Sequence, residues 1–219
     1  RYNLRLEPDL TTGRFLGQAT ILITVKATTQ TILLNAVDLV LQSAAVENPN
    51  RQSFKASIEL EQKTQRVRLS FQDAIDPGEW TLMLSFEGTL NDQLRGFYRS
   101  TYKDAAGATQ TLAATQFEAT DARRAFPCWD EPDFKAIFAT TLVIDPRLTA
   151  VSNTAVVSEL IEHNKKVVRF ADSIIMSTYL VAFIVGQIEA TKPVFVGKTP
   201  LRLWTIPGKQ SLTPFGQEI

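Results

Sequence analysis

Apolar and polar residues alternate with a period of two along much of the chain. Ala19, Ile21, Ile23 and Val25 fall on one side while Gln18, Thr20 and Thr24 fall on the other, the signature of a half-buried strand. Leu22 falls on the polar side. Val67, Leu69 and Phe71 repeat the pattern, and Trp80, Leu82, Leu84 and Phe86 repeat it again after the turn signal Asp76-Pro77-Gly78. The last two runs, joined by one turn, predict antiparallel neighbours. Shorter strands are expected over residues 32–34, 37–41, 58–60 and 111–115, and alternation resumes at Phe138, Thr140, Leu142 and Ile144. Residues 156–158, 167–170, 177–186, 192–196 and 201–204 complete the set.

No helical face longer than three turns interrupts these runs. Strands spaced by about ten residues with almost no helix predict an all-β fold, a sandwich of two or more packed antiparallel sheets with at most short helical turns. The chain reads as one domain over residues 1–219, with an internal sub-boundary near 145–150, where Asp145-Pro146 ends one run of strands.

Composition narrows the class. The chain has 219 residues, 44% hydrophobic and 21% charged, ordinary for a globular protein. Lys+Arg and Asp+Glu are both 23, so no broad positive field favours a nucleic-acid partner. The longest apolar run, residues 179–185, is far short of the roughly 18 to 20 residues that span a bilayer, so no membrane segment is read and a buried strand is expected there. Cys128 is alone and N-x-[ST] sequons are absent, which leans towards a reducing, cytoplasmic compartment. The chain opens at Arg1 with neither an initiator Met nor a signal peptide, as an excised piece would.

Candidate chemistry concentrates in residues 115–136, TQFEATDARRAFPCWDEPDFKA. Thr120 is placed to cap a short helical turn beginning at Asp121, and Pro127 and Pro132 forbid a long helix. Gln116 and Glu118, two residues apart at a strand end, can point to one side of the strand; together they suit an ammonium group, or are simply exposed. Arg123, Arg124, Asp130, Glu131 and Asp133 suit either a ligand cluster or, the favoured reading, an internal network that fixes a proline-broken loop. His163 is the one histidine and matches no zinc-ligand or catalytic-triad spacing. Phosphate-binding glycine motifs are missing. Cys128, between Pro127 and Trp129, reads as an inert core thiol.

This segment resembles the N-terminal domain of zinc aminopeptidases of the aminopeptidase N and puromycin-sensitive type, the gluzincin metallopeptidases. Gly96-Phe97-Tyr98-Arg99-Ser100, the stretch MSTYLVAFIVG over residues 176–186, and Pro207-Gly208-Lys209 are similar to the same family in the same order. The resemblance implies a saddle-like β domain lying against a catalytic domain that carries the zinc motif HExxH and the GxMEN substrate motif. Neither motif is in this chain, so it implies no cofactor here, zinc in the parent protein, and no hydrolysis by the chain alone. It also implies that Glu118 holds the free α-amine of a peptide substrate, that Gln116 lines the pocket for its first side chain, that Arg123, Arg124, Asp130 and Glu131 support the loop, and that the Glu118–Ala119 bond is cis. The implied partners are the protein's own catalytic domain and a peptide with a free N-terminus. The alternative is a non-catalytic β-sandwich interaction or scaffold module in which the motif serves packing alone.

Overall fold

The computed structural model describes residues 1–218. Its strands are, in chain order, β1 (Tyr2–Asp9), β2 (Arg14–Val25), β3 (Thr29–Asn35), β4 (Leu39–Glu47), β5 (Ser53–Glu61), β6 (Arg66–Ile75), β7 (Gly78–Thr89), β8 (Gly96–Lys103), β9 (Thr109–Gln116), β10 (Phe138–Ile144), β11 (Thr149–Ser152), β12 (Val156–Glu162), β13 (Lys165–Phe170), β14 (Phe183–Gly186), β15 (Glu189–Ala190), β16 (Val194–Val196), β17 (Thr199–Leu201) and β18 (Trp204–Thr205). A one-turn helix, α1 (Pro214–Glu218), follows. Among the described residues, a ten-stranded sheet runs in the order β12-β13-β10-β1-β2-β7-β4-β5-β6-β3, and a four-stranded sheet runs β11-β14-β9-β8. The fold is all-β, as alternation predicts.

The large sheet folds over on itself at β5. That strand pairs with β4 only through residues 53–55, then turns away and pairs with β6 through residues 56–61. Val67, Leu69 and Ile32 on one limb consequently share a core with Leu82, Leu84 and Val46 on the other. Burying the inner face of both limbs removes apolar area from water at about 25 cal/mol per Å², which is what closes the sandwich.

This fold-over corrects the expected neighbourhood of β6 and β7. Although one turn joins them, β6 pairs with β3 and β5, whereas β7 pairs with β2 and β4. Both apolar faces are buried, but in the two limbs of one core rather than edge to edge. Period-two alternation specifies which face a strand buries and leaves its edge partner open.

The ladders are antiparallel except β1–β10, which pair in parallel from Tyr2↔Phe138 to Leu6↔Leu142. β2 and β7 pair over twelve positions and include two glycine–aromatic partners, Gly17↔Phe86 and Phe15↔Gly88. Each ring covers the glycine opposite it so closely that a Cβ on Gly17 would lie 2.1 Å from Phe86.

The chain crosses from the large sheet to the small one three times, between β7 and β8, between β10 and β11, and between β13 and β14. The core is continuous across both sheets, with Phe97, Ala113, Phe183 and Val185 joined to Leu4, Leu142 and Val168. The apolar run 179–185 is not a strand throughout. Thr178–Leu180 forms a 3₁₀ turn and only Phe183–Gly186 is extended. Polar side chains explain the turn: Thr178 Oγ1 donates to Asp130 Oδ1 at 2.6 Å, Ser177 Oγ to the Pro132 carbonyl at 2.7 Å, and Asn153 Nδ2 to the Leu180 carbonyl at 2.8 Å. His163 lies at the exposed tip of the β12–β13 hairpin, with Asn164 beside it and both at positive φ.

Candidate functional site

β9 leaves the small sheet at Gln116, whose partner across the ladder is Gly96, the first residue of β8. Strand alternation continues past the last paired residue. Gln116 and Glu118 are exposed, while Phe117 between them is buried at 2% exposure with its ring 5.9 Å from Phe126 and 6.1 Å from Phe183. Burial of that one ring directs both polar neighbours outward. The Glu118–Ala119 peptide bond is cis, as the resemblance implies. The chain then doubles back, and the Asp121 amide donates to the Phe117 carbonyl at 2.8 Å.

A 3₁₀ turn over Ala122–Arg124 follows. Thr120 does not cap it. Asp121 occupies the capping position without a side-chain capping bond, because its carboxylate instead accepts from Arg124 Nε at 2.6 Å. A charge-assisted bond of this kind is roughly twice as strong as a neutral one, enough to outcompete the cap of a single turn.

The consecutive arginines serve different places. Arg123 is buried: Nε donates to Asp130 Oδ2 at 2.9 Å, Nη2 to the Asp130 carbonyl at 3.2 Å and Nη1 to Gln65 Oε1 at 3.0 Å. Asp130 also accepts from Thr178 Oγ1, and its amide donates to Asn35 Oδ1 at 3.2 Å. This network ties the end of β3, the β5–β6 turn and the Thr178 turn to the Arg123–Asp130 pair. Arg124 reaches the surface, where its guanidinium bridges Asp121 and Asp38.

Glu118 makes no hydrogen bond or ion pair with any described residue, and Gln116 makes no side-chain bond. Glu131 is exposed; its backbone carbonyl accepts from the Phe134 amide at 3.0 Å while its carboxylate has no protein partner among the described residues. The structure therefore brings Arg123, Asp130 and Thr178 together, holds Arg124 with Asp121, and leaves Gln116, Glu118 and Glu131 facing solvent.

Cys128 is fully buried and bridges to Asn35 through backbone hydrogen bonds of 2.7 and 3.1 Å. Burial pushes its thiol well above the ordinary range, with Asp130 adding to the rise. Tyr2, whose phenol oxygen accepts from the Trp129 amide at 3.3 Å, is likewise pushed upward by burial. No group of three His, Cys, Asp or Glu among the described residues is placed to hold a metal ion. Two clefts, one of about 550 Å³ floored by Tyr2, Ile21, Ile23 and Trp129 and a polar one of about 580 Å³ beside Asp9, Asp145 and Lys165, include neither Gln116 nor Glu118. Glu118 is presented on an open surface.

Sequence reasoning passes over Asn35, Asp38, Gln65 and Thr178, which reach the 115–136 segment from distant strands and turns. Thr178 carried the one available signal, since it lies in the MSTYL stretch that shares the family resemblance.

Residues 1–180 match the family described as the Peptidase M1 N-terminal domain. Aminopeptidase M1-D of Oryza sativa subsp. japonica is 41% identical over 219 residues, covering 100% of this chain and 25% of the relative. Puromycin-sensitive aminopeptidase of Caenorhabditis elegans is 41% identical over 212 residues, covering 95% of this chain and 22% of the relative. Aminopeptidase 2, mitochondrial, of Saccharomyces cerevisiae is 38% identical over 223 residues, covering 100% of this chain and 23% of the relative. The chain thus spans about a quarter of the length of these relatives. With that family matched over residues 1–180 and these relatives 38–41% identical across nearly the whole chain, the chain belongs to the Peptidase M1 N-terminal domain family.

Proposed function

We propose that this chain, as a single domain over residues 1–219, is the substrate-anchoring part of a zinc-dependent aminopeptidase that removes N-terminal residues from peptides. The observation that carries the reading is Glu118, an exposed carboxylate without a protein partner among the described residues, set on a turn whose backbone is fixed from below. A carboxylate so placed offers its full charge to the α-ammonium of a peptide. At about 4 Å and an effective dielectric near 20 the attraction is roughly 4 kcal/mol before desolvation, which favours free N-termini over internal peptide bonds. Gln116, on the same face, contacts the substrate's first side chain.

Zinc does not fit this chain's own residues, given the lack of a suitable donor group among the described residues. The metal and the bond-breaking chemistry belong to another part of the polypeptide, its catalytic domain, against which this domain lies. The chain alone binds and orients and does not hydrolyse. Among the described residues no helix is long and apolar enough to cross a membrane. The lone buried thiol fits a reducing compartment such as the cytoplasm.

The test is Glu118→Ala in the full-length protein, assayed on aminoacyl arylamides. A fall in kcat/KM of tenfold or more supports amine anchoring. Wild-type efficiency would refute it and return the loop to a packing role in an interaction module.

A further inference from the structure

We infer that Arg124 is the positioning residue for Glu118, and that Gly96 is glycine because Arg124 occupies the space where a side chain would stand. The inference rests on the anchoring role proposed for Glu118 and extends it to the device that aims the carboxylate.

Arg124 touches the far end of the segment that carries Glu118 directly, and reaches its near end through Gly96, the ladder partner of Gln116. On the far side of the turn its Nε donates to Asp121 Oδ1 at 2.6 Å, and its amide donates to the Asp121 carbonyl at 3.1 Å. Asp121 in turn closes the loop through its amide bond to the Phe117 carbonyl. On the near side, the aliphatic stem of Arg124 lies against Gly96, which faces Gln116 across the last rung of the β8–β9 ladder. A Cβ on Gly96 would sit 2.7 Å from Arg124 Cβ and 3.1 Å from its Cδ. Gly96 also has φ +65°, the left-handed region that glycine enters without cost. The start of β8, paired with the end of β9, and the close of the Glu118 turn therefore meet on one side chain.

The rest of Arg124 is anchored as well. Its second guanidinium nitrogen pairs with Asp38 in the β3–β4 turn, itself at positive φ. The guanidinium fork thus fixes the turn to the large sheet while its stem fixes it to the small one. A lysine keeps the charge but offers neither the fork nor two simultaneous carboxylate partners. Arg123 differs: it is spent on the buried Asp130 network and makes no contact of this kind with the turn's closing residue.

The test is a double-substitution cycle on the full-length protein, reading kcat/KM for an aminoacyl arylamide together with the thermal unfolding midpoint. Arg124→Lys and Gly96→Ala are each combined with Glu118→Ala. If Arg124 acts by aiming Glu118, Arg124→Lys lowers kcat/KM by tenfold or more with Glu118 present, and by less than twofold once Glu118 is gone. Gly96→Ala, which displaces the same stem from the other side, repeats that dependence even if Arg124 variants unfold early. An equal loss with and without Glu118 overturns the positioning role while leaving amine anchoring intact. If Glu118→Ala alone leaves kcat/KM unchanged, anchoring itself fails, and the inference about Arg124 falls with it.

Discussion

Arg123 Nε lies 2.9 Å from Asp130 Oδ2 with the two side chains only 10% and 1% exposed, a charge pair sealed beneath the loop that presents Glu118. Breaking a buried pair by deleting one partner strands the other charge, at a typical cost of about 3–5 kcal/mol. Asp130→Ala should therefore lower the denaturation midpoint sharply. Thr178→Val removes one bond to the same carboxylate and leaves the pair intact, so its loss should be smaller, about 1.5–3 kcal/mol. Urea unfolding of both variants checks the order.

Gly17 and Gly88 should resist substitution as strongly as core residues. A methyl on Gly17 meets the Phe86 ring, and one on Gly88 would lie 2.3 Å from Phe15. Overpacking of this kind costs typically about 1–3 kcal/mol. Gly17→Ala and Gly88→Ala should each destabilise, whereas Gly107→Ala, where nothing lies within 4 Å, should be limited to the strain of its positive φ.

The buried Tyr2 phenol sets an alkaline limit. Burial raises its folded-state pKa above the unfolded value near 10, so the neutral phenol's contribution is complete below that pH and is lost as pH rises, because only the unfolded chain ionises. Stability should fall from about pH 10 upward. Tyr2→Phe should flatten that decline, and at neutral pH it should cost about 1 kcal/mol for the lost bond from the Trp129 amide. Denaturation curves between pH 7 and pH 11 test both parts.

Cys128 should be silent towards alkylating agents in the folded protein. Its thiol is enclosed and burial disfavours the thiolate, the reactive form. Iodoacetamide at pH 8 should label it only after denaturant is added, so the labelling rate becomes a measure of opening. Rapid labelling of the native protein would contradict the burial.

The strands were legible because alternation is a local signal: Trp80, Leu82, Leu84 and Phe86 are buried in register, as their spacing requires. Their pairing was not. Whether β7 lies beside β6 or beside β4 depends on where β5 turns, and residues 53–61 alternate without marking the point at which it changes partner. The Glu118 loop was readable for the same reason in reverse, since its residues are dense and contiguous and match a family. Its supports were hidden because Gln65 and Asn35 are polar residues in unremarkable surroundings and Thr178, though inside the MSTYL stretch, lies far along the chain, and only three-dimensional closure brings them to Asp130 and Arg123. The expected Thr120 cap misses by one residue: the turn begins at Ala122, so Asp121 holds the capping position, and its carboxylate is taken by Arg124.

The parallel pairing of β1 with β10 bears on when the loop becomes ordered during folding. These strands stand at the two ends of a stretch that includes β2 through β9, so their ladder closes a very long chain loop, whose entropy must be met before any contact returns it. Tyr2 and Trp129, 127 residues apart, are joined across the same closure. The segment bearing Glu118 lies inside it, just ahead of β10. Substitutions in the β1–β10 ladder should therefore delay the moment at which the chain becomes competent to receive an amine, even where they leave the finished site unchanged.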